Sequence, residues 1–419
     1  MVKKLIVRYC AWGEDWPLGQ LADNGSEMLF EYSPEALAQG LELSPLHLKL
    51  SSRTYGRFPD FLHRLPGLFA DSLPDGWGLM LMDRLFRARG IHHPGPLERL
   101  AFMGNRAMGA FSFEPADEPD DVAPDWSLLA VAEEAQRSLA EEATDEAADE
   151  ATAALRKLAL TGGSPQGARP KALVRYQQGS GQISTRADAA GEAWLVKFQA
   201  QGEHKEVCAI EQLYADLARE AGLAMPPSRY FDLSDKLAAF GVARFDLVDE
   251  WRAPVHSLAG LLQVDFRLPG AADYTGLLRA TRLLTHDVRE VNKAYVRAVF
   301  NALFHNRDDH PKNFAWCLNR ERRWLLAPAF DLTFSEGPAG QHHMDYCGEG
   351  NIIRSAHLLQ LAAEGGVDKH FAQQSIERLA ELAGNLRQRL SAYPIRRATG
   401  QTLVRTIEQC RKNMIGKKV

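Results

Sequence analysis

The chain has 419 residues, of which 45% are hydrophobic and 25% are charged, and its formal net charge is −5. This length and composition indicate a globular protein of two or three domains, and they exclude a disordered, collagen-like or small disulfide-stabilised chain. The five cysteines form no close pairs, and neither a membrane-spanning apolar run nor a signal peptide is evident, so we expect a cytoplasmic protein without disulfides, zinc or membrane contact.

Residues 1–113 are predicted to form a small mixed α/β domain. An apolar run at residues 5–9 indicates a strand, and Asp23, Asn24 and Gly25 predict a hairpin turn into a second strand at residues 28–32. An apolar stripe from Leu79 onward indicates an amphipathic helix. No residue of this domain has an evident catalytic role.

The charge is unevenly distributed along the chain. Residues 114–150 contain 14 acidic residues and one basic residue, whereas the rest contains 40 acidic and 48 basic residues. We interpret residues 114–158 as an acidic connector followed by a solvated helix. At the other end, residues 387–419 contain nine Lys or Arg and one acid, Glu408. This segment is either a solvated helix or a surface for nucleic acid or an acidic partner.

Residues 159–250 are predicted to form a strand-rich domain with one helix. The small residues at 161–168 would allow backbone N–H groups to approach phosphate oxygens, and Lys171 follows as the chain enters a strand. The same glycines would also suit a helix C-cap and a turn. Residues 239–246 begin as a strand and could offer backbone groups to an adenine ring.

One lysine, Lys197, interrupts an apolar strand at residues 194–198, and Glu211 follows on a predicted helix at residues 207–221. Protein kinases pair such a lysine with a glutamate of the next helix and hold the ammonium against the α and β phosphates. Glu206 is a rival partner on a different face of the helix. A strand lysine that points into solvent would give the same pattern.

Residues 251–419 are predicted to be mostly helical around one hairpin, whose polar turn is centred on Glu321. This register sets Asn313 opposite Ala329, and Asp331 lies beyond the second strand, where one metal ion could contact both Asn313 and Asp331. Asp308 precedes Asn313 by five residues, which is the spacing of the base and the metal-binding asparagine in protein kinases. A turn before a strand would use the same residue types, but the order of loop, hairpin and carboxylate favours phosphoryl transfer.

Taken together, these motifs resemble the HipA toxin kinases of bacterial type II toxin–antitoxin systems. The resemblance extends over nearly the whole chain and also includes Leu73-Pro74-Asp75, Met108-Gly109-Ala110 and Arg244-Phe245-Asp246. It implies an α/β, kinase-like, two-lobed fold with an additional N-terminal subdomain and a mostly helical C-lobe. It further implies an ATP- and Mg²⁺-dependent serine/threonine protein kinase. The implied partners are a HipB-like helix-turn-helix antitoxin dimer, a protein substrate and, through the antitoxin complex, operator DNA.

The resemblance also implies roles for individual residues. Asp308 is the expected catalytic base, Asn313 and Asp331 are the expected metal ligands, and Glu211 is the expected partner of Lys197. Ser164 resembles a serine whose autophosphorylation ejects the Gly-rich loop, here residues 161–168, and inactivates the kinase. The residues expected to bind ATP are Gln166, Gly167, Ala168, Arg169, Lys171, Lys197, Ala243, Phe245, His310, Lys312, Asn313 and Asp331.

Three departures from the family pattern qualify these roles. Asp309 directly follows Asp308 where a small residue is more familiar, so the base is assigned by its spacing to Asn313. The family usually has glutamate at the position of Ala243, and a backbone contact to adenine would survive that change. Pro165 and Pro170 stiffen the Gly-rich loop, which would alter a regulation that depends on its flexibility.

Two other functional classes remain open from the sequence. A small-molecule kinase would use the same ATP-binding residues. A non-catalytic subunit would act only with an antitoxin on DNA, although Asp308, Asn313 and Lys197 are all present. Within the family the targets include aminoacyl-tRNA synthetases, and no feature of this sequence identifies the target.

Overall fold

The computed structural model describes residues 2–117, 125–140, 158–159 and 167–415. The chain divides into two compact units, unit 1 (Met1–Cys208 and Pro227–Val255) and unit 2 (Ala209–Pro226 and His256–Val419). Across the described ranges no helix combines the length and apolarity that a membrane span requires. The four domains expected from the sequence stay a prediction.

Unit 1 begins with a four-stranded antiparallel sheet in the order β3-β2-β1-β4. Its strands are β1 (Lys4–Ala11), β2 (Glu14–Asp23), β3 (Met28–Tyr32) and β4 (Phe111–Glu114). Alternate residues of β1 are buried because side chains of a strand point to opposite faces. The predicted turn before β3 is confirmed, since Asp23 accepts a hydrogen bond from the Gly25 N–H and Gly25 has a φ of 91°.

Five helices accompany this part of unit 1: α1 (Pro34–Gln39), α2 (Gly67–Ala70), α3 (Gly76–Ala88), α4 (Pro96–Met103) and α5 (Leu128–Ala140). The predicted amphipathic helix is α3, which buries Trp77, Leu81 and Leu85. The acidic segment contains α5. A solvated helix was expected here, but α5 buries one face, which includes Val131 and Ala135. Residues 118–124 and 141–157 of the predicted connector and helix lie outside the described residues.

The second sheet of unit 1 has five antiparallel strands in the order β6-β5-β7-β9-β8. They are β5 (Lys171–Gln177), β6 (Gln182–Ser184), β7 (Glu192–Phe198), β8 (Ser228–Asp232) and β9 (Ala238–Ala243), and the short hairpin β10 (Leu247–Val248) and β11 (Trp251–Arg252) follows. Every residue of the interior strand β9 is buried, as expected for an apolar run with a neighbouring strand on each side.

A buried polar cluster joins the two sheets within unit 1. The Asp246 carboxylate is fully buried and accepts hydrogen bonds from Arg244 at 2.9 and 2.6 Å and from the Gly109 N–H at 2.9 Å. Arg252 donates to the carbonyl oxygens of Gly109 at 2.7 Å and Phe111 at 2.8 Å. Two motifs far apart in the sequence, around residues 109 and 245, therefore form one structural element.

Unit 2 is mostly helical, as predicted. Helix α6 (Glu206–Glu220) crosses the boundary between the units. The remaining elements are β12 (Val255–Ser257), α7 (Leu258–Leu262), α8 (Tyr274–Thr285), α9 (Val288–Leu303), β13 (Ala315–Leu318), β14 (Trp324–Leu326), α10 (Ser355–Gly365), α11 (Lys369–Gly384), α12 (Leu386–Arg389) and α13 (Arg397–Ile415). Helix α9 forms the core of the unit and packs against α8, α11 and α13.

The predicted register of the hairpin is confirmed. Trp316 lies opposite Leu326 and Leu318 lies opposite Trp324, so the turn is centred on Glu321. The ladder ends before it reaches Asn313, which instead lies in a 3₁₀ turn (Pro311–Asn313) that follows the loop from α9.

Candidate active site

The loop between α9 and β13 carries four of the expected site residues: Asp308, His310, Lys312 and Asn313. The Asn313 side-chain amide donates a hydrogen bond of 2.8 Å to the backbone carbonyl of Asp308. This bond closes the loop across the five-residue spacing that the sequence shows. It also orients the Asn313 amide, so that its oxygen is the atom suited to a metal ion.

The two adjacent aspartates of this loop lie in opposite environments. Asp308 is exposed, whereas Asp309 is 1% exposed and is surrounded by hydrogen-bond donors. Asp309 accepts from the Tyr274 hydroxyl at 2.6 Å, from His342 Nδ1 at 2.7 Å and from the His343 N–H at 2.7 Å. Asp309 therefore has a structural role, and Asp308 is the carboxylate of the pair that can meet a substrate.

Electrostatics separate the two carboxylates as well. The pKa of Asp308 is raised, mainly by desolvation and also by the Asp331 carboxylate, while the His310 and His343 imidazoles oppose the rise. Burial would raise the pKa of Asp309, but the His342 imidazole and the surrounding donors lower it. A carboxylate with a raised pKa is a stronger base, which suits Asp308 to accept a proton.

Asp331 is half-buried and has a φ of 55°, a left-handed conformation that aspartate and asparagine tolerate better than most residues. Because the Asp331 carboxylate raises the pKa of Asp308, the two carboxylates are close enough to interact electrostatically. A carboxylate and an amide oxygen, from Asp331 and Asn313, are hard ligands suited to Mg²⁺, which commonly takes few protein ligands and completes its shell with water and phosphate oxygens. Across the described ranges no group of three or more His, Cys, Asp or Glu side chains could hold a metal.

His310 and Lys312 lie on either side of Pro311 and share an aromatic neighbour. The Lys312 ammonium lies 4.5 Å from the centroid of the Phe266 ring, and the His310 ring centroid lies 5.6 Å from the same ring. His310 Nδ1 is buried and has no hydrogen-bond partner within the described part of the chain. A ligand that offers a donor or an acceptor there would satisfy it.

Replacing Asp309 with alanine is expected to lower the free energy of unfolding by about 3–5 kcal/mol, because it leaves the buried His342 and Tyr274 without their carboxylate. The matched control is Asp308→Ala, which removes an exposed carboxylate one residue away. Chemical denaturation would measure both variants. Equal stability of the two variants would contradict a structural role for Asp309.

In unit 1, Lys171 and Lys197 lie directly opposite each other on β5 and β7. Directly opposed residues share one face of a sheet, and both side chains are buried, at 3% and 7% exposure. Two ammonium groups on one face of the sheet would both attract an anion with several negative charges. This pair of lysines is the feature of unit 1 that best fits a polyphosphate.

The described part of the Gly-rich loop begins at Gly167, and Ser164 and Gln166 lie outside the described residues. Gly167 has a φ of 106°, a backbone conformation that residues with a Cβ rarely adopt, so glycine is favoured at this position. The Arg169 guanidinium pairs with Glu203 at 2.9 and 3.1 Å. A contact of Arg169 with ATP stays a prediction.

A contact that the sequence did not indicate holds this loop from the N-terminal part of unit 1. The Asp75 carboxylate accepts a hydrogen bond from the Gly167 N–H, and the Trp77 N–H donates to the Gly167 carbonyl at 3.1 Å. A Cβ at Gly76 would lie 2.7 Å from the Cα of Ala168, so this approach requires glycine. In the sequence, the one signal near these residues was the Leu73-Pro74-Asp75 motif of the family pattern, and it did not indicate this contact.

Replacing Asp75 with alanine is expected to accelerate hydrogen exchange of the Gly167 amide by about 10- to 100-fold, since a bond to a charged acceptor contributes about 1.5–3 kcal/mol. Hydrogen exchange followed by mass spectrometry would measure this. The control is Asp60→Ala, an exposed carboxylate of the same unit. Unchanged exchange in the Asp75 variant would show that the loop is held without this bond.

The segment expected to offer backbone groups to an adenine ring includes the end of β9 and the turn after it. The Ala243 N–H donates to the Pro227 carbonyl at 2.8 Å, so only the carbonyl oxygen of Ala243 could serve an adenine ring. The Arg244 N–H is likewise used, by the Ala193 carbonyl at 2.9 Å. Phe245 lies in the turn that follows and is half-buried. Contacts of Ala243 and Phe245 with ATP stay predictions.

Lys197 belongs to unit 1, and its expected partner Glu211 belongs to unit 2, where it is buried in α6 at 2% exposure. The rival partner Glu206 is also buried, at 3% exposure. The pairing of Lys197 with Glu211 stays a prediction.

Comparisons with known proteins extend over most of the chain. The family model described as HipA N-terminal domain matches residues 10–114, and the one described as HipA-like C-terminal domain matches residues 163–386. No curated protein sequence matches this chain.

Two solved structures match this chain to different extents. A chain of the Shewanella oneidensis MR-1 toxin antitoxin system HipA, HipB and operator DNA complex matches with a TM-score of 0.71 and 16% identity, over 98% of this chain and 97% of that chain. This match confirms the predicted fold class. The Helicobacter pylori proinflammatory kinase CtkA matches over 54% of this chain and 89% of that chain at 13% identity, and its TM-score of 0.38 is too low to carry an argument.

Proposed function

The chain belongs to the HipA family, and from this premise we propose that it is an ATP- and Mg²⁺-dependent serine/threonine protein kinase and the toxin of a type II toxin–antitoxin system. The observation that carries the proposal is the contrast between the exposed Asp308 and the buried, hydrogen-bonded Asp309. The loop around them holds one carboxylate rigidly and presents the other to solvent.

In the proposed reaction the hydroxyl oxygen of a serine or threonine attacks the γ-phosphorus of ATP. The new bond to the γ-phosphorus forms as its bond to the bridging oxygen of ADP breaks, and Asp308 accepts the hydroxyl proton. Asn313 and Asp331 would hold Mg²⁺, which neutralises charge that develops on the phosphate oxygens. Lys171 and Lys197 would neutralise the phosphates further, and the N–H groups of the Gly-rich loop would bind their oxygens.

The proposed partner is a HipB-like helix-turn-helix antitoxin dimer. The solved HipA chain that this protein resembles comes from a complex with HipB and operator DNA, and the similarity extends over 98% of this chain. We infer that this chain contacts operator DNA through the antitoxin complex. The proposed substrate is a cellular protein, for which an aminoacyl-tRNA synthetase is one candidate, and Ser164 is the proposed site of autophosphorylation.

The proposal is tested by incubating the purified protein with Mg-ATP, measuring ADP formation and mapping phosphate by peptide mass spectrometry. Phosphate on serine or threonine, at Ser164 or in an added protein, supports a protein kinase. ADP formation that requires a soluble acceptor would instead assign a small-molecule kinase. Absence of ADP and of phosphoprotein, in a preparation that binds an antitoxin, would assign a non-catalytic subunit.

A further inference from the structure

Unit 2 contains a cavity of about 480 Å³ between the α9–β13 loop, the segment around residue 352 and helix α13. The floor of the cavity is buried and includes Ala302, His305 and Arg307, and its exposed rim includes Arg405. Its volume is that of a small-molecule site, for which about 300–1,000 Å³ is usual. None of the residues expected to bind ATP or metal lines it.

The described residues that line the cavity carry cationic and neutral side chains and no carboxylate. Arg307 and Arg405 contribute its positive charge. His305 is neutral near pH 7, because burial lowers its pKa, although the nearby Glu336 opposes this effect. His342, which also lines the cavity, is held by Asp309.

Three carboxylates that contact a lining residue or lie near one in the chain are bonded to other groups. Glu336 pairs with His305 Nε2 at 3.1 Å. Glu408 of α13 pairs with Arg411 at 2.7 and 2.8 Å. Glu349 accepts the N–H groups of residues 351 and 352 at 2.7 and 3.1 Å. Among the described residues neither guanidinium group of the cavity pairs with a carboxylate, so both can attract an anionic ligand.

Arg307 is fixed in place but not neutralised. Its guanidinium donates to the carbonyl oxygens of Gly340 and of Asn351, the latter at 2.7 Å. The side chain is buried, at 9% residue exposure, and its Nε has no hydrogen-bond partner within the described part of the chain. Burying a cation without an anionic partner costs free energy, and an anion in the cavity would recover it.

The rest of the lining indicates what kind of molecule bears the anionic group. Ala302, Ile352 and Ile353 form an apolar wall, and Thr406 and Gln409 of α13 offer hydrogen bonds. We propose that this cavity binds a small organic anion, a phosphate or carboxylate on an apolar body. The charged group would contact Arg307 and Arg405, and the apolar body would pack against the isoleucines.

Such a ligand would also act on the catalytic loop. Arg307 directly precedes Asp308, and His342 holds Asp309 from the wall of the cavity. A ligand that binds one arrangement of these residues better than another shifts the position of the loop. This regulatory consequence rests on the proposed function, whereas the binding site does not.

Binding is tested by isothermal titration calorimetry with phenyl phosphate and benzoate, in the presence of Mg²⁺ and an excess of a non-hydrolysable ATP analogue. Phenol is the uncharged control. We expect one or both anions to bind the wild-type protein and phenol not to bind. Because Arg405 contributes a charge-assisted bond, Arg405→Gln is expected to weaken binding by at least about tenfold.

The matched control variant is Arg397→Gln, which removes the same charge from the same helix. Arg397 and Arg405 both line a separate basic groove along α13, but only Arg405 lines the cavity. Unchanged binding by Arg397→Gln, together with weaker binding by Arg405→Gln, supports the cavity. Equal binding by wild type and Arg405→Gln, equal losses in both variants, or no binding of either anion would overturn the proposal.

The regulatory consequence has its own readout, the rate of phosphate transfer with and without a saturating amount of the bound anion. A changed rate in wild type, but not in Arg405→Gln at the same anion concentration, supports coupling to the loop, and an unchanged rate overturns the coupling. Complete absence of transfer would instead overturn the proposed function, and the calorimetric result would stand independently of it.

Discussion

Replacing Asp308 with asparagine is expected to lower the rate of phosphate transfer by about 10²- to 10⁴-fold, which is the usual contribution of a positioned general base. The amide cannot accept the hydroxyl proton. The loop itself should persist, because Asn313 is bonded to the backbone carbonyl of Asp308 and not to its carboxylate. Single-turnover transfer from labelled ATP, with a thermal melt of the same preparation, measures both effects.

A pH profile provides the control for this prediction. Asp308 must be deprotonated to act as a base, and its pKa is raised, mainly by desolvation. The wild-type rate should therefore fall on the acid side, through a pKa above the ordinary range of aspartate. The residual rate of the variant should lack this dependence. A variant that transfers phosphate at the wild-type rate would remove Asp308 from the role of base.

Replacing Asp331 with asparagine is expected to weaken Mg²⁺-dependent ATP binding by at least about a hundredfold, since a bound metal contributes several kcal/mol. Asparagine is the most conservative substitution that removes the charge at this position. It keeps the size of the side chain and tolerates the left-handed backbone, with its φ of 55°, where alanine would add strain. The loss of binding can therefore be attributed to the missing charge.

Calorimetric titration of ATP with Mg²⁺ and with EDTA separates the metal contribution from the rest of the affinity. The wild-type protein should bind ATP more weakly in EDTA, and Asp331→Asn should bind with the weaker affinity in both conditions. Glu381→Ala, an exposed carboxylate on α11, is the control for general charge loss and should match wild type. Unchanged Mg²⁺ dependence in Asp331→Asn would rule out this residue as a metal ligand.

Much of the fold was predictable because its signals are local. Three correctly predicted features are local: the turn at Gly25, the amphipathic helix α3 and the hairpin centred on Glu321. Each depends on residues within one element or in the turn between two consecutive elements. Turn propensity and hydrophobic periodicity are properties of such short segments. The helix α5 was less well predicted, because acidic composition conceals its buried apolar face.

The environments of the site residues were not predictable in the same way. The sequence shows two adjacent aspartates. The five-residue spacing from Asp308 to Asn313 is a weak reason to choose Asp308 over Asp309 as the base. The structure adds that Tyr274, 35 residues earlier, and His342, 33 residues later, both bind Asp309. No local pattern reports such contacts, since they form only when α8 and the segment after β14 pack around the loop.

The amino-acid sequence by itself determined several of the helices and strands, the register of one hairpin, and which side chains are available for phosphate chemistry. Tertiary structure decided which of these side chains are buried, paired or exposed. It set Lys171 opposite Lys197, attached Asp75 to Gly167, and placed Arg307 in a cavity whose described lining has no carboxylate. The physical reason is that charge, desolvation and hydrogen bonding depend on distance in space, which the spacing of residues along the chain does not specify.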